Sequence, residues 1–212
     1  MRHKIIIPLL LFSTLCLYPT AQAGNPHLNY GTQAYERGDY QGAVRKYAKA
    51  GADGQYVAGL FYYNGSGVRR DLTKAAFWFK KAAEEGNSGA SYRLGTMYED
   101  GIGVKKDRKQ AVKWYQYAAN SGDAKAAYRL GYLYKMGNGV THDHQVAATW
   151  FRKAAKHGNA SAAYSLAMMR EKGDGIKQDH EKAAKWFRVA AEKRVSSVEN
   201  SGIRERLSCP NC

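Results

Sequence analysis

The sequence predicts an all-α solenoid of stacked helix hairpins with a 36-residue repeat. Three observations carry this expectation. All four tryptophans, Trp78, Trp114, Trp150 and Trp186, fall 36 residues apart. A Gly-x-Gly-(Val/Ile) element recurs at the same interval, starting at Gly65, Gly101, Gly137 and Gly173. Each interval also holds two stretches with apolar residues at helical spacing, so each unit reads as a pair of helices.

The N-terminus comes first. Residues 1–23 read as a secretory signal peptide. Arg2 and Lys4 supply its positive start, and Ile5 to Leu17 its apolar run. That run, interrupted by Pro8, is too short for a bilayer span, which takes ~20 apolar residues. Ala21-Gln22-Ala23 offers the small residues a signal peptidase needs, so cleavage is expected between Ala23 and Gly24. Cys16 follows the bulky Leu15, where a lipid-modified cysteine needs a small neighbour. A periplasmic or secreted protein is therefore expected, with no transmembrane segment in the mature chain. The formal charge is +15, and becomes +13 once Arg2 and Lys4 leave with the leader. Such a balance favours acidic partners: proteins with acidic surfaces, anionic lipid head groups or acidic polysaccharide. Nucleic acid is not expected, because the chain is exported and carries no nucleic-acid motif.

Residues 24–53 form the expected N-terminal cap, a tetratricopeptide-like hairpin. It reads Gly31…Tyr35-x-x-Gly38-Asp39-Tyr40-x-x-Ala43…Tyr47-x-x-Ala50, and lacks both the Gly-x-Gly loop and a Trp. Terminal units of a solenoid depart from the repeat in this way. Four repeats follow, at 54–89, 90–125, 126–161 and 162–194. In the second, Ala90, Leu94, Met97 and Tyr98 share one helix face, and Ala126, Leu130, Leu133 and Tyr134 keep the spacing in the third. Gly101 ends this first helix, where a left-handed residue is often needed. Asp107 then caps the second helix, as Asp71, Asp143 and Asp179 do in register.

The second helix carries Ala111, Trp114, Tyr115, Ala118 and Ala119 as one apolar stripe, and Gly122 closes the unit. The Trp and the aromatic after it fill the space between helices, while the Ala pairs and Gly95 or Gly131 permit close approach. A single hairpin cannot bury such a stripe, so neighbours must stack. Trp78, Trp114, Trp150 and Trp186 are accordingly assigned to the repeat core. In the last repeat, Ala167, Arg170 and Arg194 replace the helix Gly, the Tyr and the closing Gly, as suits an end that faces solvent. Residues 195–212 form a tail, with a short helix expected over Val198–Leu207 before Cys209-Pro210-Asn211-Cys212.

The Leu94-Gly95-x-x-Tyr98 element, the Gly-x-Gly-Val loop, the Asp cap and the Ala-x-x-Trp-aromatic-x-x-Ala-Ala-x-x-Gly helix together resemble the Sel1-like repeat, a relative of the tetratricopeptide repeat. The resemblance covers about Gly54 to Arg194. It implies a right-handed superhelix of helix pairs that serves as a scaffold or adaptor for protein complexes, here of an exported bacterial type.

Chemistry finds little purchase. The Gly-x-Gly loops follow helices and lack the third Gly and the Lys-Ser/Thr pair of phosphate-binding loops. His142, Asp143 and His144, with Asp179 and His180, could suggest metal ligands, but Asp143 and Asp179 sit at the capping position and His144 at a variable, exposed first-turn position. No third ligand can be named, and no metal or cofactor is expected. Cys209 and Cys212 are the two cysteines of the mature chain, and in an oxidising compartment they should pair with each other or across chains. A thiol-redox role is a weaker alternative, since no helix follows the second Cys to lower its partner's pKa. The cysteine-rich branch of Sel1-like proteins, linked with β-lactams, carries cysteines inside every repeat, and this chain carries none there. Ser-x-x-Lys, His-Glu-x-x-His and Gly-x-Ser-x-Gly are absent, so no enzyme is expected.

The expected function is therefore a non-catalytic protein-interaction scaffold. First helices line the concave face of stacked hairpins. The candidate contacts there are Tyr63, Arg93, Thr96, Glu99, Arg129, Tyr132 and Lys135, which face outward and vary between units. The alternative is a basic binder of anionic envelope polymer or lipid.

Overall fold

The computed structural model describes residues 25–207. Among these there are ten helices and no strand. They are α1 (Pro26–Glu36), α2 (Tyr40–Tyr47), α3 (Gly51–Asn64), α4 (Leu72–Glu84), α5 (Ser88–Asp100), α6 (Arg108–Asn120), α7 (Ala124–Met136), α8 (His144–Lys156), α9 (Ala160–Lys172) and α10 (His180–Leu207). They group into two compact units, α1–α5 and α6–α10, divided between Lys106 and Asp107. The leader and both tail cysteines lie outside the described residues.

Local signals set the helix ends. The Asp71 and Asp107 carboxylates accept the amides of Lys74 and Gln110 at 2.9 and 3.1 Å. Asp143 accepts those of Gln145 and Val146, and Asp179 that of Lys182. Each satisfies amides left open by the first helical turn. First helices are capped as well, by Asn87, Asp123 and Asn159, each immediately after a closing Gly. These three caps stand in register in the sequence, and the periodic pattern of apolar residues does not reveal them. The first Gly of each loop terminates its helix in the left-handed region, with φ of 72° at Gly65 and 78° at Gly101.

In the first unit the core gathers Tyr35, Val44, Tyr47 and Phe61. Tyr47 is fully buried and its hydroxyl lies 3.1 Å from that of Thr32. Burial raises its pKa above the ordinary 10.0, with the Thr32 hydrogen bond opposing the shift. Gly59 lets α4 close on α3, because a Cβ there would lie 2.6 Å from the Phe79 ring.

In the second unit, Tyr115, Phe151, Leu130, Leu133, Leu166 and Met169 are fully buried. Gly131 repeats the close approach, against Phe151. The last helix departs from the expected pause and separate short helix: α10 runs unbroken to Leu207. Gly86, Gly122 and Gly158 close earlier units with positive φ, whereas Arg194 in the same register continues the helix.

Candidate interaction surface

In α4, α6 and α8 the aromatic after the Trp is the more deeply buried of the pair, whereas in α10 Trp186 and Phe187 are both only partly covered. Phe79, Tyr115 and Phe151, the residues after the Trp, are fully buried. Trp114 is buried at the edge of the core, and Trp78, Trp150 and Trp186 are only partly covered. Uncovered Trp surface meets cations: the ammonium of Lys81 lies 5.6 Å from the Trp78 ring, and that of Lys153 5.2 Å from Trp150.

On the first unit, α5 carries Arg93, Thr96 and Glu99 at successive three-residue steps, which places them along one face. All three are half-buried, as is Tyr63 near the end of α3. The Arg93 guanidinium lies 5.9 Å from the centre of the Tyr63 ring, which itself packs 6.2 Å from Phe79. The Thr96 hydroxyl donates to the Arg93 carbonyl at 2.7 Å. Tyr63 and Arg93 therefore form one ordered aromatic–cation element joining two hairpins. On the second unit, α7 carries Arg129, Tyr132 and Lys135 with the same spacing. Arg129 and Tyr132 are exposed, the latter at 41%, and Lys135 is half-buried.

Three further features escape the periodic pattern. Phe77 and Tyr117 are exposed aromatics on second helices, at positions where other repeats carry Lys or Thr and Lys or Val. Their break with the register was the available signal. His144, expected as an exposed first-turn residue, is half-buried. Its Nδ1 contacts the Asp174 carboxylate, and its ring meets that of His142 edge-on at 4.3 Å. It is covered because the loop glycine Gly175 packs directly against it. His180 similarly faces Glu171 at 3.0 Å. Among the described residues, no group of three His, Cys, Asp or Glu is arranged to hold a metal. No described helix is long and apolar enough to cross a membrane.

Hairpins with a left-handed Gly stop, an Asp cap and an aromatic–Ala second helix define an α/α repeat protein. The Sel1 repeat profile matches residues 52–87, 88–123, 124–159 and 160–194, and the chain belongs to that family. A Sel1 repeat protein from Oxalobacter formigenes is 32% identical, with a TM-score of 0.71 over 78% of this chain and 70% of that one. The protective antigen c5321 of uropathogenic Escherichia coli, which displays an SLR fold, is 30% identical with a TM-score of 0.73. That match covers 87% of this chain and 41% of the antigen. HRD3A of Arabidopsis thaliana, an ERAD-associated E3 ubiquitin-protein ligase component, is 40% identical over 73 residues. These are 32% of this chain and 11% of HRD3A, so the chain spans a small part of that relative.

Proposed function

We propose that this protein is a non-catalytic interaction scaffold of the periplasm or the cell exterior, and that it holds a protein partner with an acidic surface. The Tyr63–Arg93 element is the observation that carries the reading. Arg and Tyr are favoured anchors of protein interfaces, and here they are ordered before any partner arrives. The framework of caps, loop glycines and buried aromatics repeats, while Thr96, Tyr132 and Met168 share one register, none of them buried, and differ in chemistry. A fixed frame carrying variable outward positions is how repeat proteins encode specificity. The description of HRD3A as a ligase component accords with membership of a larger assembly. In this reading Arg93, Thr96 and Glu99 with Tyr63 form one contact set, Arg129, Tyr132 and Lys135 another, and a Cys209–Cys212 pair closes the tail. Charge reversal at Arg93 and Arg129 should abolish co-purification of the native partner while leaving helicity intact. Unchanged co-purification would remove the basis of the reading.

The Lys81–Phe77–Trp78 cluster favours a second reading, an anionic envelope polymer or lipid bound on second helices. Such binding should weaken steeply with salt, and Phe77→Ala with Lys81→Glu should remove it.

A further inference from the structure

The terminal hairpin carries a cleft of about 290 Å³ whose lining includes none of Tyr63, Arg93, Thr96 or Glu99. Its floor is Ala34 of α1 and Gly42 of α2, both buried and both small. Its rim is Tyr30, which is 51% exposed, with Arg37, Arg45 and Lys46. Two of its cations are held in place. Arg37 Nε donates to the Gln33 carbonyl at 3.1 Å, and the Lys46 ammonium lies 5.7 Å from the Tyr30 ring centre. Asp39 is the one acid in the lining, and its carboxylate already accepts the Gly42 amide at 2.7 Å as the cap of α2. No ion pair to Arg37, Arg45 or Lys46 occurs among the described residues. Three cations thus converge on a concave, partly apolar space with no carboxylate committed to them.

We infer that this cleft is a docking site for an acidic peptide segment bearing an apolar anchor residue. The inference rests on the reading of the chain as a protein binder and adds a second contact at its N-terminal end. The apolar residue would lie over Ala34 beside the Tyr30 ring, because Gly42 is covered by the Asp39 carboxylate that caps α2. Flanking Glu or Asp would meet Arg37 on one side and Arg45 and Lys46 on the other. Guanidinium groups suit that role because their planar fork matches a carboxylate. The chain's own C-terminal helix is a poor occupant: from Glu192 to Leu207 it carries more basic than acidic residues.

The test uses the full chain and a fluorescently labelled Glu-rich peptide with a central Leu, followed by anisotropy and by amide chemical shifts. Binding is expected, with shifts centred on Tyr30, Gly42 and Lys46. The R37E/R45E double variant should weaken it about tenfold or more, Arg93→Glu should leave it unchanged, and a Lys-for-Glu peptide should not bind. A Glu-only peptide that binds as tightly would overturn the proposal, because the cleft would then be a general anion patch. Shifts centred on α3 and α5, or loss of binding with Arg93→Glu, would also overturn it and assign the peptide to the first-helix surface. Should the double variant fail to fold, the wild-type shift map alone decides. Failure of Arg93 and Arg129 to matter for the native partner would count against the scaffold surface and leave this result standing.

Discussion

Gly103 lies directly against the carbonyl oxygen of Leu72: a Cβ on Gly103 would collide with that oxygen. Leu72 begins the second helix of one hairpin, and Gly103 is the second loop glycine of the next. The same register recurs as Gly67 on Tyr40, Gly139 on Arg108 and Gly175 on His144. The two glycines of the loop therefore have different tasks. The first stops a helix, and the second is where one hairpin seats on the start of its neighbour's second helix.

Gly103→Ala should therefore be costly. Its φ of 70° is unfavourable for any L side chain, and the added methyl has backbone rather than a movable side chain in its way. Together these should cost about 2–4 kcal/mol. Urea unfolding of the variant measures this, and an unchanged midpoint would show that the seat is not tight.

The buried aromatic should outweigh the tryptophan beside it. Phe151→Ala empties a fully enclosed site and should cost about 3–5 kcal/mol. Trp150→Ala removes a larger side chain that is half-covered, and should cost less, about 1–2 kcal/mol. Thermal and urea unfolding of the two variants gives the order directly.

That order explains what was legible in the sequence. Helix pairs, Gly stops and Asp caps follow from repetition in one register, and Asp107 or Gly101 can be assigned without coordinates. The division between Trp and its neighbour is subtler. Relative to Ala111, Trp114 lies about 60° to one side of the helix axis and Tyr115 about 40° to the other. Both sit within the apolar stripe, so periodicity alone groups them, and tryptophan's size draws attention to the residue nearer the edge. Arg93 and Tyr63 were legible as outward and variable, but their pairing across hairpins was not, because it depends on how two repeats stack. The terminal cleft was invisible for a different reason: Tyr30, Arg37 and Arg45 belong to no repeated register.

Acid should loosen the helix caps. Amide hydrogen bonds from the Lys74 backbone, with its ammonium, hold the Asp71 carboxyl below its ordinary pKa, and the Lys182 ammonium and amide do the same for Asp179. A lowered folded-state value means that the stabilisation is complete above the ordinary carboxylate pKa, about 4, and is lost as pH falls through the lower folded value. Thermal midpoints measured downward from neutral pH should fall in that window. Asp71→Asn and Asp179→Asn should retain a capping oxygen and show a flatter acid limb.

Alkali should act through Tyr47. Its raised pKa means that the neutral phenol is preferred in the fold, so its contribution is intact below pH 10.0 and lost as pH rises through the higher folded value. Tyr47→Phe should shift the alkaline unfolding midpoint upward relative to its neutral-pH stability, because one buried phenol fewer then has to ionise. An unaltered alkaline limb would place the sensitive group elsewhere.

In the proposed scaffold, outward positions of the first helices hold a protein. This is tested most directly by placing a photo-crosslinking residue at Tyr132, and separately at Arg129, in the native cell and identifying what is captured by mass spectrometry. One discrete protein, with an acidic surface, is expected from both positions, and its capture should be lost when Arg129 is reversed in charge beside the Tyr132 probe. Diffuse capture, or capture of lipid and polysaccharide alone, would contradict the proposed scaffold.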